Sequence, residues 1–164
     1  MSDKIDIAEL RPGYSGIIAT EDIESGEVVA YIPHEQCITQ EKAEKSTIAQ
    51  YLIDSDVISG DSNCRHHRSI LPFMLYFMKE RRNPFSEFAS SIAVLPTDWS
   101  QFPILFSSEE LDWLEGSQMG EWVSLLQEQT QACYDLVASS VADFGSKHSR
   151  QEFMEAFVAV HSRK

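Results

Sequence analysis

Apolar and polar residues change rhythm along this chain. Near the N-terminus the pattern is short: residues 17–20 and 27–32 read as two strands joined by a polar turn, Glu21-Asp22-Ile23-Glu24-Ser25-Gly26, which ends on a glycine free to take a positive φ. Residues 1–12 alternate weakly, with Ile5 and Ile7 on one side, which predicts a short edge strand, and residues 34–39 continue as a brief extended piece. Helical spacing takes over after Thr39. This threonine suits an N-cap, with Glu41 in the first turn where the helix dipole favours a carboxylate. The helix is expected to run to about Ile53 on a narrow stripe of Ile48 and Leu52, with Tyr51 a third candidate.

Residues 54–67 are polar and turn-prone and read as a connection rather than a domain boundary. The strongest periodicity follows over residues 69–82, where Ile70, Phe73, Met74, Phe77 and Met78 recur at the spacing of one buried helix face. Pro72 falls in the first turn of that helix, where a missing N–H costs little, and Lys79, Arg81 and Arg82 complement its C-terminal end. Asn83-Pro84 then predicts the cap of a shorter helix carrying Phe85, Phe88 and Ile92. Ser107-x-x-Glu110 is a capping box for a helix through Leu111 and Leu114 that stops near Gly116. A long helix over residues 119–140 is expected to bury Trp122, Leu126, Cys133, Leu136 and Val137, and to break at Gly145. A second capping box, Ser149-x-x-Glu152, opens a last helix with Phe153, Phe157 and Val160 inward. Three or four strands followed by five or six helices predict an α+β fold rather than a parallel βαβ arrangement. No internal repeat or low-complexity segment interrupts it.

Composition adds bounds. The 164 residues, 43% hydrophobic and 24% charged, suit one globular domain with a real core. No apolar run approaches the roughly 20 residues of a membrane helix, and the start, MSDKIDIAEL, lacks a secretory signal, so an intracellular protein is expected, with cytoplasm, nucleus and plastid all open. Cys37, Cys64 and Cys133 are far apart with no CxxC, and are expected to be reduced, partly buried thiols. His66-His67 beside Cys64 is followed by no second ligand pair, so no metal site is assigned. Charge is more telling. The formal net charge is −13, and between Arg82 and Lys147 ten acidic residues occur without one lysine or arginine. Phosphates would be repelled there, which argues against nucleic-acid binding through this region; the face is either a solvated acidic surface that keeps the protein soluble or, if it binds anything, one suited to a basic protein. There is no G-x-S-x-G, P-loop or H-E-x-x-H, and the histidines and cysteines form no dyad by spacing.

Two blocks carry more specific information. The first runs from the bend Gly13-Tyr14-Ser15-Gly16 through Ile17-Ile18-Ala19-Thr20-Glu21-Asp22-Ile23 to Ser25-Gly26-Glu27 and an apolar stretch ending at Pro33. The second runs from Leu95-Pro96-Thr97-Asp98-Trp99 through Pro103-Ile104-Leu105-Phe106 and Glu109-Glu110-Leu111 to Leu114-Glu115-Gly116-Ser117. Their order resembles a SET-domain protein methyltransferase of the Rubisco large-subunit methyltransferase type, whose SET domain is split by a helical insert. The resemblance extends from about Arg11 to Lys164. It implies SET strands over about 11–39, the insert over about 40–148, and at 149–164 a helix leading into the rest of the SET domain.

The resemblance also implies an activity, transfer of a methyl group from S-adenosylmethionine to a protein lysine, or to histidine in some relatives. Gly13, Tyr14, Ser15 and Gly16 would contact the cofactor largely through main-chain groups, and Ser162-Arg163 matches a Ser/Thr-Arg pair whose guanidinium grips the cofactor carboxylate. Two features depart from the pattern. Tyr14 stands where the first glycine of a G-x-G bend belongs, with Gly13 one residue earlier. The family's Asn-His step and a later tyrosine lie beyond the Ser-Arg pair, and the only asparagines here, Asn63 and Asn83, precede no histidine. The chain is therefore expected to be the first part of such an enzyme, cut before its catalytic half, without a catalytic residue of its own and inactive as it stands. The alternative is a non-catalytic module whose acidic helical face holds a basic protein partner. Neither reading calls for nucleic acid or membrane.

Overall fold

The computed structural model describes residues 2–11, 14–54, 64, 67 and 69–162. The chain divides into two compact units, Met1–Cys37 and Ile38–Lys164. Its secondary structure is mixed: one two-stranded antiparallel sheet and, among the described residues, eight α-helices. That is compatible with the α+β class.

In the N-terminal unit, β1 (Ile5–Arg11) pairs antiparallel with β2 (Tyr14–Ala19), Ile7 opposite Ile17 and Glu9 opposite Ser15, with an irregularity between Glu9 and Arg11. The edge strand expected near the N-terminus is thus the partner of residues 17–20, and residues 27–32 form no strand. Two residues separate β1 from β2, so their pairing closes a much shorter loop than pairing across the acidic turn would. The turn itself forms as expected. Gly26 takes φ +87°, Glu27 N–H donates to the Glu24 carbonyl at 3.1 Å, and the Glu27 carboxylate accepts from Lys4 Nζ at 2.9 Å and Glu24 N–H at 3.0 Å. Those hydrogen bonds, Lys4 first, hold the Glu27 carboxyl below its ordinary value.

The second unit is helical. The helix expected from Thr39 to Ile53 is two, α1 (Gln40–Glu44) and α2 (Thr47–Asp54). Thr39 caps the first by accepting from Lys42 N–H at 3.3 Å. Ser46 restarts the second, its hydroxyl oxygen accepting from Ala49 N–H and its carbonyl from Gln50 N–H. Helix α3 (Leu71–Arg82) carries the predicted face and more, because Leu71 and Leu75 are buried as well as Met74, Phe77 and Met78. It is the centre of the core. Helix α4 (Ala89–Ala93) is shorter than expected, and Phe85 lies outside it, 93% exposed. The buried Glu80 explains this: its carboxylate accepts from the Ser86 hydroxyl at 2.7 Å, and Ser86 Oγ accepts from Phe88 N–H at 3.1 Å, so residues 83–88 are held as turns and Phe88 is buried instead.

Both capping boxes are present. Ser107 and Glu110 open α5 (Ser108–Asp112), and Ser149 and Glu152 open α8 (Arg150–His161). Gly116 stops the α5 segment at φ +74°, and Ser117 then caps α6 (Gln118–Ser140). The long helix does not end at Gly145. It stops at Val141, the chain turns at Asp143 with φ +60°, and Gly145 lies inside the short α7 (Phe144–Lys147). Helix α8 buries Phe153, Phe157 and Val160 as expected. Phe153 sits edge-on to Tyr134 and Phe144, at ring separations of 5.7 and 6.4 Å, which locks α8 to α6 and α7. Arg82 pairs with Glu152 at 2.7 Å across α3 and α8.

Two expectations for α6 fail. Its buried stripe is Val123, Thr130, Cys133, Tyr134 and Val137, and Trp122 is 74% exposed. The stripe passes through a polar residue because Thr130 is satisfied internally: its hydroxyl donates to the Leu126 carbonyl at 2.7 Å and meets His67 Nε2 at 3.0 Å. Cys133 is not a reduced thiol, since it is joined to Cys64 in a disulfide with Cα atoms 5.3 Å apart, leaving Cys37 as the free thiol. A separation of 69 residues in sequence gives no hint of that proximity; the packing of α6 creates it. Of the His66-His67 pair, His66 lies outside the described residues.

Candidate functional site

The helical unit contains a cavity of about 370 Å³, within the range of small-molecule sites. Phe73 and Phe77 of α3, Ile92 of α4, and Ala159 and Val160 from the last turn of α8 form much of its apolar wall. Thr39, Gln40, Ser69 and Ser91 add uncharged polar groups, and no charged residue lines it among the described residues. A site so built can hold and orient a neutral or apolar group. Among the described residues it offers no carboxylate, imidazole or thiol for proton transfer or nucleophilic attack.

Displaced titrations among the described residues lie outside the cavity wall: Tyr76, inside α3, is raised by burial and then by the charges of Glu80 and Glu87, and the others lie at caps and turns. Glu110 is lowered by the Ser107 N–H and hydroxyl, and Asp98 in the same way by Ser100. For Glu152, burial works upward, but the Arg82 hydrogen bond and the Ser149 N–H outweigh it and the carboxyl is lowered. His148 is lowered by burial, with Arg82 adding to the effect. Glu110, Glu152 and His148 stand at helix ends and Asp98 in a turn; none belongs to the cavity wall.

Of the residues singled out in the sequence, Gly13 and Arg163 lie outside the described residues. Tyr14, Ser15 and Gly16 are strand residues rather than a free bend, placed opposite Arg11, Glu9 and Ala8. In a two-stranded ribbon only alternate residues of β2 turn their main-chain groups toward β1, so the others stay open along the outer edge. A Cβ at Gly16 would lie 2.6 Å from Leu10 Cδ1, the tip of an exposed side chain that can swing aside. Ser162 is the C-cap of α8, its N–H donating to the Val158 carbonyl at 3.0 Å. It follows Val160, a wall residue of the cavity, by two positions. The strand residues belong to the first unit and Ser162 to the second.

Sequence reasoning took Phe73 and Phe77 for core and passed over Ser69 and Ser91. Only the packing of three helix ends leaves the phenylalanines facing a hollow, and isolated serines in such stretches carry no signal. Comparison of the chain with protein-family models, with characterised proteins and with solved structures finds no match.

Proposed function

We propose that this chain is the N-terminal part of an S-adenosylmethionine-dependent protein methyltransferase of the SET type, with lysine the usual acceptor and histidine the second possibility. The reading is carried by one observation: α8, whose C-cap Ser162 directly precedes Arg163 in sequence, supplies Ala159 and Val160 to the wall of the apolar cavity. The order of the two sequence blocks supports it. The cofactor, when bound, supplies an electrophilic methyl on a sulfonium. The chain's own residues bind and orient. Arg163 offers a planar pair of donors suited to a carboxylate, and main-chain groups on the outer edge of β2 at Tyr14–Gly16 offer hydrogen bonds that need no side chain. An acceptor amine held in line with the methyl gains its rate from positioning, so deprotonation and alignment are the remaining tasks. Residues 1–164 contain no Asn-His step for these tasks, and this polypeptide by itself is expected to transfer no methyl group.

Backbone amide NMR with S-adenosylmethionine added in large excess tests the reading. Weak, saturable shifts at Gly13–Gly16 and Ser162–Arg163, lost in Arg163→Ala, are the expected result. Saturable shifts confined to other residues, or none at either place, would overturn it.

A further inference from the structure

Trp122, which was expected to join the buried side of α6, is instead exposed, and it has large apolar neighbours. Trp122 is 74% exposed, Met119 58% and Leu125 52%. At i, i+3 and i+6 these three form one stripe over the first turns of the helix. Trp113, also exposed at 77%, stands five residues before α6 begins. It is the C-cap of α5, and the next residue packs against α6: a Cβ on Gly120 would fall 2.5 Å from the Leu114 carbonyl oxygen. The Ser117 hydroxyl, donating to the Leu114 carbonyl at 2.6 Å and accepting from Gly120 N–H at 3.1 Å, fastens this junction. Two tryptophans, a methionine and a leucine thus share one rigid corner.

Charge decides what can cover it. Glu109, Asp112, Glu121 and Glu128 are exposed on these same two helices and Glu115 in the turn between them. The ion pairs of the helical unit engage Glu41, Glu87, Asp135, Asp143, Glu152 and Glu155, and leave these five without a cation among the described residues. A second copy of this chain, at net charge −13, would bring like charge to the patch. An anionic membrane surface is opposed for the same reason. A basic partner is favoured by the field and finds large, rigid aromatic anchors of the kind that dominate interface energetics.

We propose that the corner formed by Trp113, Met119, Trp122 and Leu125 is a docking surface for a basic, amphipathic segment of another protein. The surface stands independently of the methyltransferase reading, since it involves neither the cavity nor the Ser-Arg pair. The probe is a capped Lys/Leu/Ala peptide of about 15 residues, long enough to hold an amphipathic helix once bound, with a Glu/Leu/Ala peptide of the same pattern as control. Two of the three tryptophans belong to the surface and Trp99 is buried, so binding should shift tryptophan emission to shorter wavelength. Trp113→Ala and Trp122→Ala should each weaken the lysine peptide about tenfold or more, with circular dichroism and melting unchanged. Neither substitution alters charge, so that loss cannot come from general attraction to an acidic protein. Undiminished affinity in both variants, equal binding of the glutamate peptide, tryptophan-dependent self-association in sedimentation, or uptake by phosphatidylserine vesicles would each overturn the proposal.

Discussion

Gly120 and Gly145 are both helical residues, and on propensity alone alanine at either should stabilise, by up to about 1 kcal/mol in a helix interior and less near an end. The surroundings predict opposite outcomes. At Gly145 a new Cβ would meet the Ala138 Cβ at 3.5 Å and the Tyr134 hydroxyl at 3.7 Å, ordinary contacts, so Gly145→Ala should gain a few tenths of a kcal/mol. At Gly120 the nearest atom is the Leu114 carbonyl oxygen at 2.5 Å, with its carbon at 3.2 Å. That oxygen belongs to the backbone and is held by the Ser117 hydroxyl, so it cannot swing aside as a side-chain tip would. Opening the junction should cost what overpacking costs, about 1–3 kcal/mol. Set against the propensity gain, a net loss of about 1–2 kcal/mol remains for Gly120→Ala. For a chain of this size that lowers the melting temperature by about 2–8 °C. Urea titrations and thermal melts of both variants, followed by circular dichroism, read the difference directly. If Gly120→Ala is as stable as the parent, or if both glycines respond alike, the close approach of α6 to Leu114 is wrong, and with it the placement of Trp113 beside the α6 stripe.

Thiol titration in denaturant without reductant should find one reactive cysteine, Cys37, and reductant should lower stability by up to about 4 kcal/mol on a chain-entropy estimate for a 69-residue separation; three titrating thiols would contradict the Cys64–Cys133 bond. Phe153→Ala, at a fully buried position between Tyr134 and Phe144, should cost about 3–5 kcal/mol in urea unfolding, whereas Trp122→Ala should stay within about 0.5 kcal/mol. Acid should destabilise the fold in two ranges. His148 is lowered from 6.5, so its contribution is full above that pH and is lost as pH falls through its folded value; Glu152 is lowered from 4.5, so its contribution is full above 4.5 and is lost as pH falls further. Urea midpoints measured against pH should show both losses, and Arg82→Gln should flatten the lower one; an NMR titration placing His148 above its ordinary value would contradict this account.

The elements that local chemistry governs were legible. Ser107-x-x-Glu110 and Ser149-x-x-Glu152 became capping boxes, Thr39 became a cap, and Gly26 and Gly116 took the positive φ their turns require. Each depends on groups within a few residues, so the sequence determines it with little help from the rest of the chain. Pairing and facing are another matter. Residues 17–20 could pair forward or backward, and loop length together with the Ser2 and Lys4 contacts to Val29 and Glu27 decided. Trp122 looked like core because it is large and apolar, yet the satisfied Thr130 hydroxyl turned the α6 stripe away from it. The same packing brought Cys64 to Cys133 and left a hollow between Phe73, Ile92 and Val160. Sequence alone settles what bonds to its near neighbours; which side chain meets which across the chain is settled only when whole helices compete for one interior volume.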